Sequence, residues 1–145
     1  MIILSEYTKA QRVNPQSKRL LVVASLFVMT AIILGAMAAH LLKGSLFPAE
    51  LDTFKLAVRY QFWMGFSILM MVIIENVFLP SPSKLPWFLV VGGLFFSGSL
   101  YALVFLPAGA SIRQIVGPIT PIGGILMILG WGLFLIRIIR QQSVK

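Results

Sequence analysis

One histidine, one amide, two tyrosines and a few hydroxyls are most of what this 145-residue chain offers for chemistry within its apolar stretches. His40, Tyr60, Gln61, Ser97, Ser99, Tyr101 and Thr120 lie in or at the edge of apolar runs, and Arg113 stands in a short connection beside them. Together they could line a pocket. The imidazole would donate, accept or respond to a proton, and the amide and hydroxyls would hold a small ligand, a lipid headgroup or an ion beneath the Arg113 guanidinium. A plainer role competes with this one. The hydroxyls, amide and imidazole would satisfy backbone groups freed by Pro118 and Pro121, the tyrosines would belong to an interfacial belt, and Arg113 would be solvated.

Stronger chemistry is not encoded. With no cysteine, the chain lacks disulfides, a thiol nucleophile, a C-x-x-C redox motif and thiolate metal ligands. A metal site needs several ligands, but His40 has only Glu50 and Asp52 in a nearby loop and no H-x-x-x-H pairing. A haem would rest on His40 and one of seven methionines alone. No G-x-S-x-G, Walker loop or dinucleotide fingerprint is present, and Gly123-Gly124 sits inside an apolar run, where a phosphate cradle is out of place. Proton or ion translocation uses acids buried in a bundle. Only Glu75 approaches that role, and its place at a helix end beside Asn76 reads as an interfacial anchor. No catalytic, cofactor-binding or metal-binding residue is expected, and the protein is expected not to be an enzyme.

The elements that position these residues follow from composition. The chain is 59% hydrophobic and 11% charged, too few charges to coat a soluble surface, since a globular protein carries about a quarter. A mean hydropathy of +0.96 points to an integral membrane protein and excludes disorder, collagen-like sequence and coiled coil. The net charge of +8 would suggest nucleic-acid binding in a soluble domain. Here the basic residues flank apolar runs, which fits anionic headgroups and not a nucleic-acid partner.

Four runs match the roughly 20 residues needed to cross a hydrocarbon core about 30 Å thick, so the expected fold is all-α, a bundle of four transmembrane helices. The expected organisation is a basic polar segment 1–19, spans 20–42, 56–78, 87–106 and 116–136, and a basic tail 137–145. Between the spans lie an outer loop 43–55, a Pro-rich inner turn 79–86 and an outer loop 107–115. Pro80, Pro82 and Pro86 make the inner turn short and stiff. Within 43–55, Pro48-Ala49-Glu50-Leu51-Asp52 reads as a helix start. The stretch from Leu51 to Tyr60 places Leu51, Phe54 and Val58 on one face, an amphipathic lead-in lying at the interface.

Of the 12 basic residues, Lys9, Arg12, Lys18, Arg19, Lys84, Arg137, Arg140 and Lys145 share one side of this arrangement. Lys43, Lys55, Arg59 and Arg113 share the other. Eight against four predicts that both termini are cytoplasmic. A cleaved signal peptide ending at Ala36-Met37-Ala38 competes with a retained first span; its basic leader and apolar core are both longer than usual. A mitochondrial presequence is a further alternative, against which stands the lack of a clear apolar face. The bacterial plasma membrane is the expected location, with the mitochondrial inner membrane as alternative.

Small residues mark where helices could touch. Ala31, Gly35 and Ala39 repeat every fourth position in the first span, Gly93 leads to Ser97 in the third, and Gly123 and Gly124 open the fourth. A close-packed four-helix bundle accounts for such ridges fully, and an oligomer interface is the sharper alternative. With alternating span directions, His40, Tyr60, Gln61, Tyr101 and Thr120 fall within about two turns of the outer boundary at 1.5 Å per residue, and Ser97 and Ser99 reach deeper.

Several ordered motifs carry a family resemblance. Gly35-Ala36-Met37-Ala38-Ala39-His40-Leu41-Leu42-Lys43, Tyr60-Gln61, Phe96-Ser97-Gly98-Ser99-Leu100-Tyr101, Thr120-Pro121-Ile122-Gly123-Gly124 and Gly130-Trp131 resemble, in order, the motifs of the DUF423 family of small four-span membrane proteins. The resemblance covers about Leu20 to Arg137 and implies a membrane location and a four-span fold, but no activity. The family pattern carries a histidine shortly after the Tyr-Gln pair, where this chain has Met64, so a two-histidine site cannot form here. The extension from Met1 to Arg19 also departs from the compact pattern, as a targeting or partner-binding arm.

Two classes of function remain open. One is a non-enzymatic accessory or assembly subunit of a larger membrane complex. The other is a carrier or sensor of a small solute, lipid or ion, working as an oligomer around the His40 pocket. Transport requires a continuous polar path, whereas an accessory role requires only polar groups satisfied where they stand.

Overall fold

A computed structural model describes residues 14–141; residues 1–13 and 142–145, and with them the basic residues Lys9, Arg12 and Lys145, lie outside the described part. The described chain is all helical: α1 (Pro15–His40), α2 (Pro48–Phe78), α3 (Pro86–Phe105), the single turn α4 (Arg113–Val116) and α5 (Ile119–Arg140). Four of these are long and apolar enough to cross a membrane, α4 leading directly into the last of them.

Local sequence sets the boundaries. Three of the four long helices begin at proline, whose fixed φ suits the first turn and whose missing N–H has no intrahelical role there. Asn14 caps α1 by accepting the Gln16 N–H at 2.8 Å, so the helix begins before Leu20 and Lys18 and Arg19 ride on its exposed first turns. The Glu50 carboxylate accepts the Phe47 N–H at 3.0 Å ahead of α2. The lead-in expected at the interface is not a separate element: Pro48 to Phe78 is one helix of 31 residues. At 1.5 Å per residue it is about 46 Å long, well beyond a hydrocarbon core of about 30 Å, which leaves its amphipathic first turns to the headgroup region. Leu51, Phe54 and Ala57 are buried there, while Asp52, Lys55 and Arg59 are exposed.

The helices pack as a chain of neighbours, α1 on α2, α2 on α3 and α3 on α5, whereas neither α1 nor α2 brings a Cα within 8 Å of α5. Buried positions on α1 (Ser17, Leu20, Ala24, Phe27, Ala31, Ala38) recur at intervals of three, four or seven, one narrow stripe against α2. The main core gathers Leu20, Ala24, Phe27, Ile68, Met71 and Leu89 toward the end where α1 begins and α5 ends. A smaller cluster of Ala38, Leu51, Phe54 and Val104 sits at the opposite, distal end. Outward faces remain apolar, with Ile32, Trp63, Phe66, Ile125 and Ile128 exposed, which suits lipid and not water.

Small residues fix the closest approaches. A Cβ at Gly123 would stand 2.5 Å from the Phe96 nitrogen and 2.7 Å from the Gly92 oxygen, so the α3 and α5 backbones touch only because glycine occupies this position. Gly93 faces Phe27 and Met64, Gly35 faces Val58, and Ala31 is buried, all against helices of the same chain. Ala39 is exposed, and Gly124 has only the edge of the Phe96 ring near it. Gly92 on α3, against Gly123 and Met127, Gly65 on α2, against Val28 and Phe27, and Gly130 on α5, against Leu89 and Phe88, are further close approaches outside the i+4 pattern that marks small residues in the sequence.

Candidate functional site

Residues adjacent in sequence diverge once placed on helices, because each step turns the helix by about 100°. Gln61 points between α1 and α3, whereas Tyr60, 37% exposed, lies against the Phe96 ring with centroids 4.3 Å apart. Ser97 and Ser99 likewise separate. Ser97 faces α1 and α2, and Ser99 lies 2.7 Å from the Thr120 hydroxyl on α5 while donating to the Phe96 carbonyl at 2.9 Å. With the Ser99 proton committed to Phe96, Thr120 is the donor in that pair.

Gln61 is the centre of the first network. Its amide nitrogen donates to the Thr30 hydroxyl at 2.6 Å and the Phe27 carbonyl at 3.2 Å, and its oxygen accepts the Tyr101 hydroxyl at 2.9 Å. Thr30 in turn donates to the Leu26 carbonyl at 2.6 Å. One amide therefore ties α1, α2 and α3 together inside the bundle, where an unsatisfied polar group is costly. These side chains border a cavity of about 250 Å³ flanked by Leu26 and Leu94, and Ser97 lines the same cavity. Ser97 is 2% exposed, and its hydroxyl is the one buried side-chain polar atom among the described residues with no hydrogen-bond partner.

The other residues of the anticipated pocket stand elsewhere. His40 is exposed at the C-terminal end of α1 and is not among the residues lining this cavity. Arg113 does not stand over it either. Its guanidinium donates to the Leu103 and Leu106 carbonyls at 2.7 and 2.6 Å, capping the end of α3 where carbonyls have no intrahelical partner. Nor do Pro118 and Pro121 leave interior groups for the hydroxyls to satisfy, since both fall at the start of α5, where N–H groups have no intrahelical acceptor in any case. Thr120 is committed to Ser99 across the α3–α5 contact.

A second polar cluster lies at the terminal end of the bundle. Glu75 is not an interfacial anchor but a buried acid, 1% exposed, whose Oε1 receives Arg137 Nη1 from α5 at 2.6 Å. Glu75 also accepts the Ser83 N–H at 2.9 Å and the Ser83 hydroxyl, while Arg137 reaches on to the Ser81 carbonyl. Gln16 of α1 donates to the Ser83 carbonyl at 2.6 Å, and Asn76 donates to the Ser17 hydroxyl at 3.0 Å. The Pro-rich turn is thus stapled to three helices through one ion pair and its hydrogen bonds. A signal for the pair is present in the sequence: an acid and a base each close an apolar run on the same side of the membrane.

Between α2 and α5, floored by Phe96 of α3, runs an apolar groove of about 660 Å³ lined by Met64, Met127, Ile128 and Trp131. No three acidic or histidine side chains among the described residues come together to hold a metal ion.

Comparison with known proteins agrees with this architecture. Residues 34–124 match the family model described as "Protein of unknown function (DUF423)". A UPF0382 membrane protein of Staphylococcus aureus (strain bovine RF122 / ET3-1) is 34% identical over 119 residues, 82% of this chain and 93% of the relative. One from Staphylococcus saprophyticus is 38% identical over 114 residues, 79% and 91% of the two chains. One from Schizosaccharomyces pombe is 36% identical over 115 residues, 79% and 96%. No solved structure matches. With its four spans, its ordered motifs and these relatives, the chain belongs to the DUF423 family of membrane proteins.

Proposed function

We propose that the protein is a non-enzymatic accessory or assembly subunit that acts by associating with a larger membrane complex. The observation that carries this reading is the separation of its polar groups. Gln61 and Glu75 lie about 21 Å apart along α2 at 1.5 Å per residue, and Ile68, Met71, Val72, Leu89 and Val90 are buried in the core between the two polar layers. A charged solute moving along the bundle would cross this apolar layer at a cost of several kcal/mol. Gln61, Thr30 and Tyr101 on one side and Glu75 and Arg137 on the other are engaged in holding helices to one another. A carrier of ions or hydrophilic solutes draws no comparable support.

In this reading both termini face the cytoplasm, supported by the eight-to-four distribution of basic residues. The membrane is the bacterial plasma membrane, which the staphylococcal relatives favour, with the mitochondrial inner membrane as the alternative in view of the fission-yeast relative. The test is reconstitution of the full chain into sealed vesicles. Proton and small-ion permeability should equal that of protein-free vesicles. A protein-dependent flux that Gln61→Leu abolishes would overturn the proposal.

A further inference from the structure

Serine and threonine in an apolar helix commonly satisfy their hydroxyl by bonding back to a carbonyl three or four residues earlier. Thr30, Thr53 and Ser99 do so in this chain. Ser97 does not, although it is almost wholly buried and could turn the same way. A buried hydroxyl left unpaired costs about 1–3 kcal/mol, and one whose residue lines a cavity can recover that cost from whatever fills the cavity.

We propose that the cavity between α1 and α3 binds the hydroxyl end of an uncharged lipid-soluble alcohol that enters from the bilayer. The hydrogen-bond inventory defines that chemistry. Ser97 has a free O–H donor. Both amide hydrogens of Gln61 and the Tyr101 proton are committed, which leaves only acceptor lone pairs on the Gln61 and Tyr101 oxygens. A ligand hydroxyl matches this set: it accepts from Ser97 once that buried hydroxyl rotates toward the cavity its residue lines, and it donates to the Tyr101 or Gln61 oxygen. A carboxylate or phosphate finds no cation among the lining residues, and an ammonium finds no anion.

Route and size agree. The cavity of about 250 Å³ far exceeds the roughly 10–15 Å³ that admits one water, so it takes the first carbons of a chain along with the hydroxyl. It lies where α1 and α3 touch over only a short stretch, and its flanks Leu26 and Leu94 are exposed to the lipid side. Gly98 stands in its lining with no atom within 4 Å of where a Cβ would be, so the opening passes beside a residue that has no side chain. A free long-chain alcohol and a diacylglycerol share the required group.

The test uses the full chain in lipid nanodiscs with a long-chain alcohol carrying a diazirine beside its hydroxyl. Photolabelling should map to the segments around Leu26–Thr30 and Leu94–Tyr101. Unlabelled alcohol or diacylglycerol should compete, whichever is stronger identifying the source, while an alkane and a fatty acid of equal length should not. Ser97→Ala should weaken labelling about fivefold, the equivalent of one neutral hydrogen bond. Gly98→Leu should abolish it while leaving the melting temperature unchanged or higher, because a Cβ there meets no atom within 4 Å and leucine is the better helix former. Labelling that the alkane displaces equally well, labelling elsewhere, no labelling above background, or labelling that survives both substitutions would each overturn the proposal.

Discussion

Replacing Arg137 by methionine tests how the bundle is held at its terminal end. The guanidinium meets Glu75 at 2.6 Å, and the acid is 1% exposed, so the substitution leaves a carboxylate buried without its cation. Breaking such a pair costs about 3–5 kcal/mol. Two features place this case near 3 kcal/mol. Ser83 continues to donate twice to the carboxylate, and Arg137 is itself 22% exposed, so water already reaches part of the pair. At roughly 2–4 °C per kcal/mol for chains near this size, the melting temperature should fall by roughly 6–12 °C. The assay is thermal unfolding of the full chain in nanodiscs, followed by the fluorescence of Trp63, Trp87 and Trp131. Combining Arg137→Met with Glu75→Gln should recover at least half of the loss, because the uncompensated charge is gone while the amide oxygen still accepts from Ser83. A single substitution that melts within about 2 °C of the parent, or a double one that loses the sum of the two singles, would refute the reasoning.

Other substitutions separate packing from polarity. Gly123→Ala should destabilise by about 1–3 kcal/mol, because its methyl meets the Phe96 and Gly92 backbones, whereas Gly132→Ala, open on every side, should be neutral or stabilising by up to about 1 kcal/mol; the same thermal assay reads both. Gln61→Leu should cost about 1–3 kcal/mol through the partners it strands at Thr30 and Tyr101, and Tyr101→Phe about 0.5–1.5 kcal/mol; a Gln61→Leu variant that melts with the parent would deny Gln61 its central place. His40→Ala should leave stability and photolabelling unchanged, since the histidine is exposed and outside the cavity lining; weakened labelling would place it back in the site.

The spans were legible in the sequence because they depend on quantities that add along a chain: scarce charge, run length and proline at the breaks. Which side chains meet was less legible, because that depends on angles about helix axes and on which helices are neighbours. Tyr60 and Gln61 share a depth but face different grooves, and so do Ser97 and Ser99. His40 and Arg113 have the depth expected of a pocket and the wrong direction for it. Thr30 is visible in the sequence only as a break in an apolar run, yet it receives the Gln61 amide. The Glu75–Arg137 pair joins positions far apart in the chain, and reading Glu75 with its neighbour Asn76 alone made it an anchor. Gly65, Gly92 and Gly130 escape a search for regular small-residue repeats because each approach is set by where two helices cross.

Association with other membrane components is the central claim, and the mass of the native particle tests it most directly. The full chain, expressed at its natural level and extracted in mild detergent, should run as a particle heavier than one 16.0 kDa polypeptide with its detergent and lipid, and should contain at least one different protein in fixed ratio. A lone monomer would contradict it.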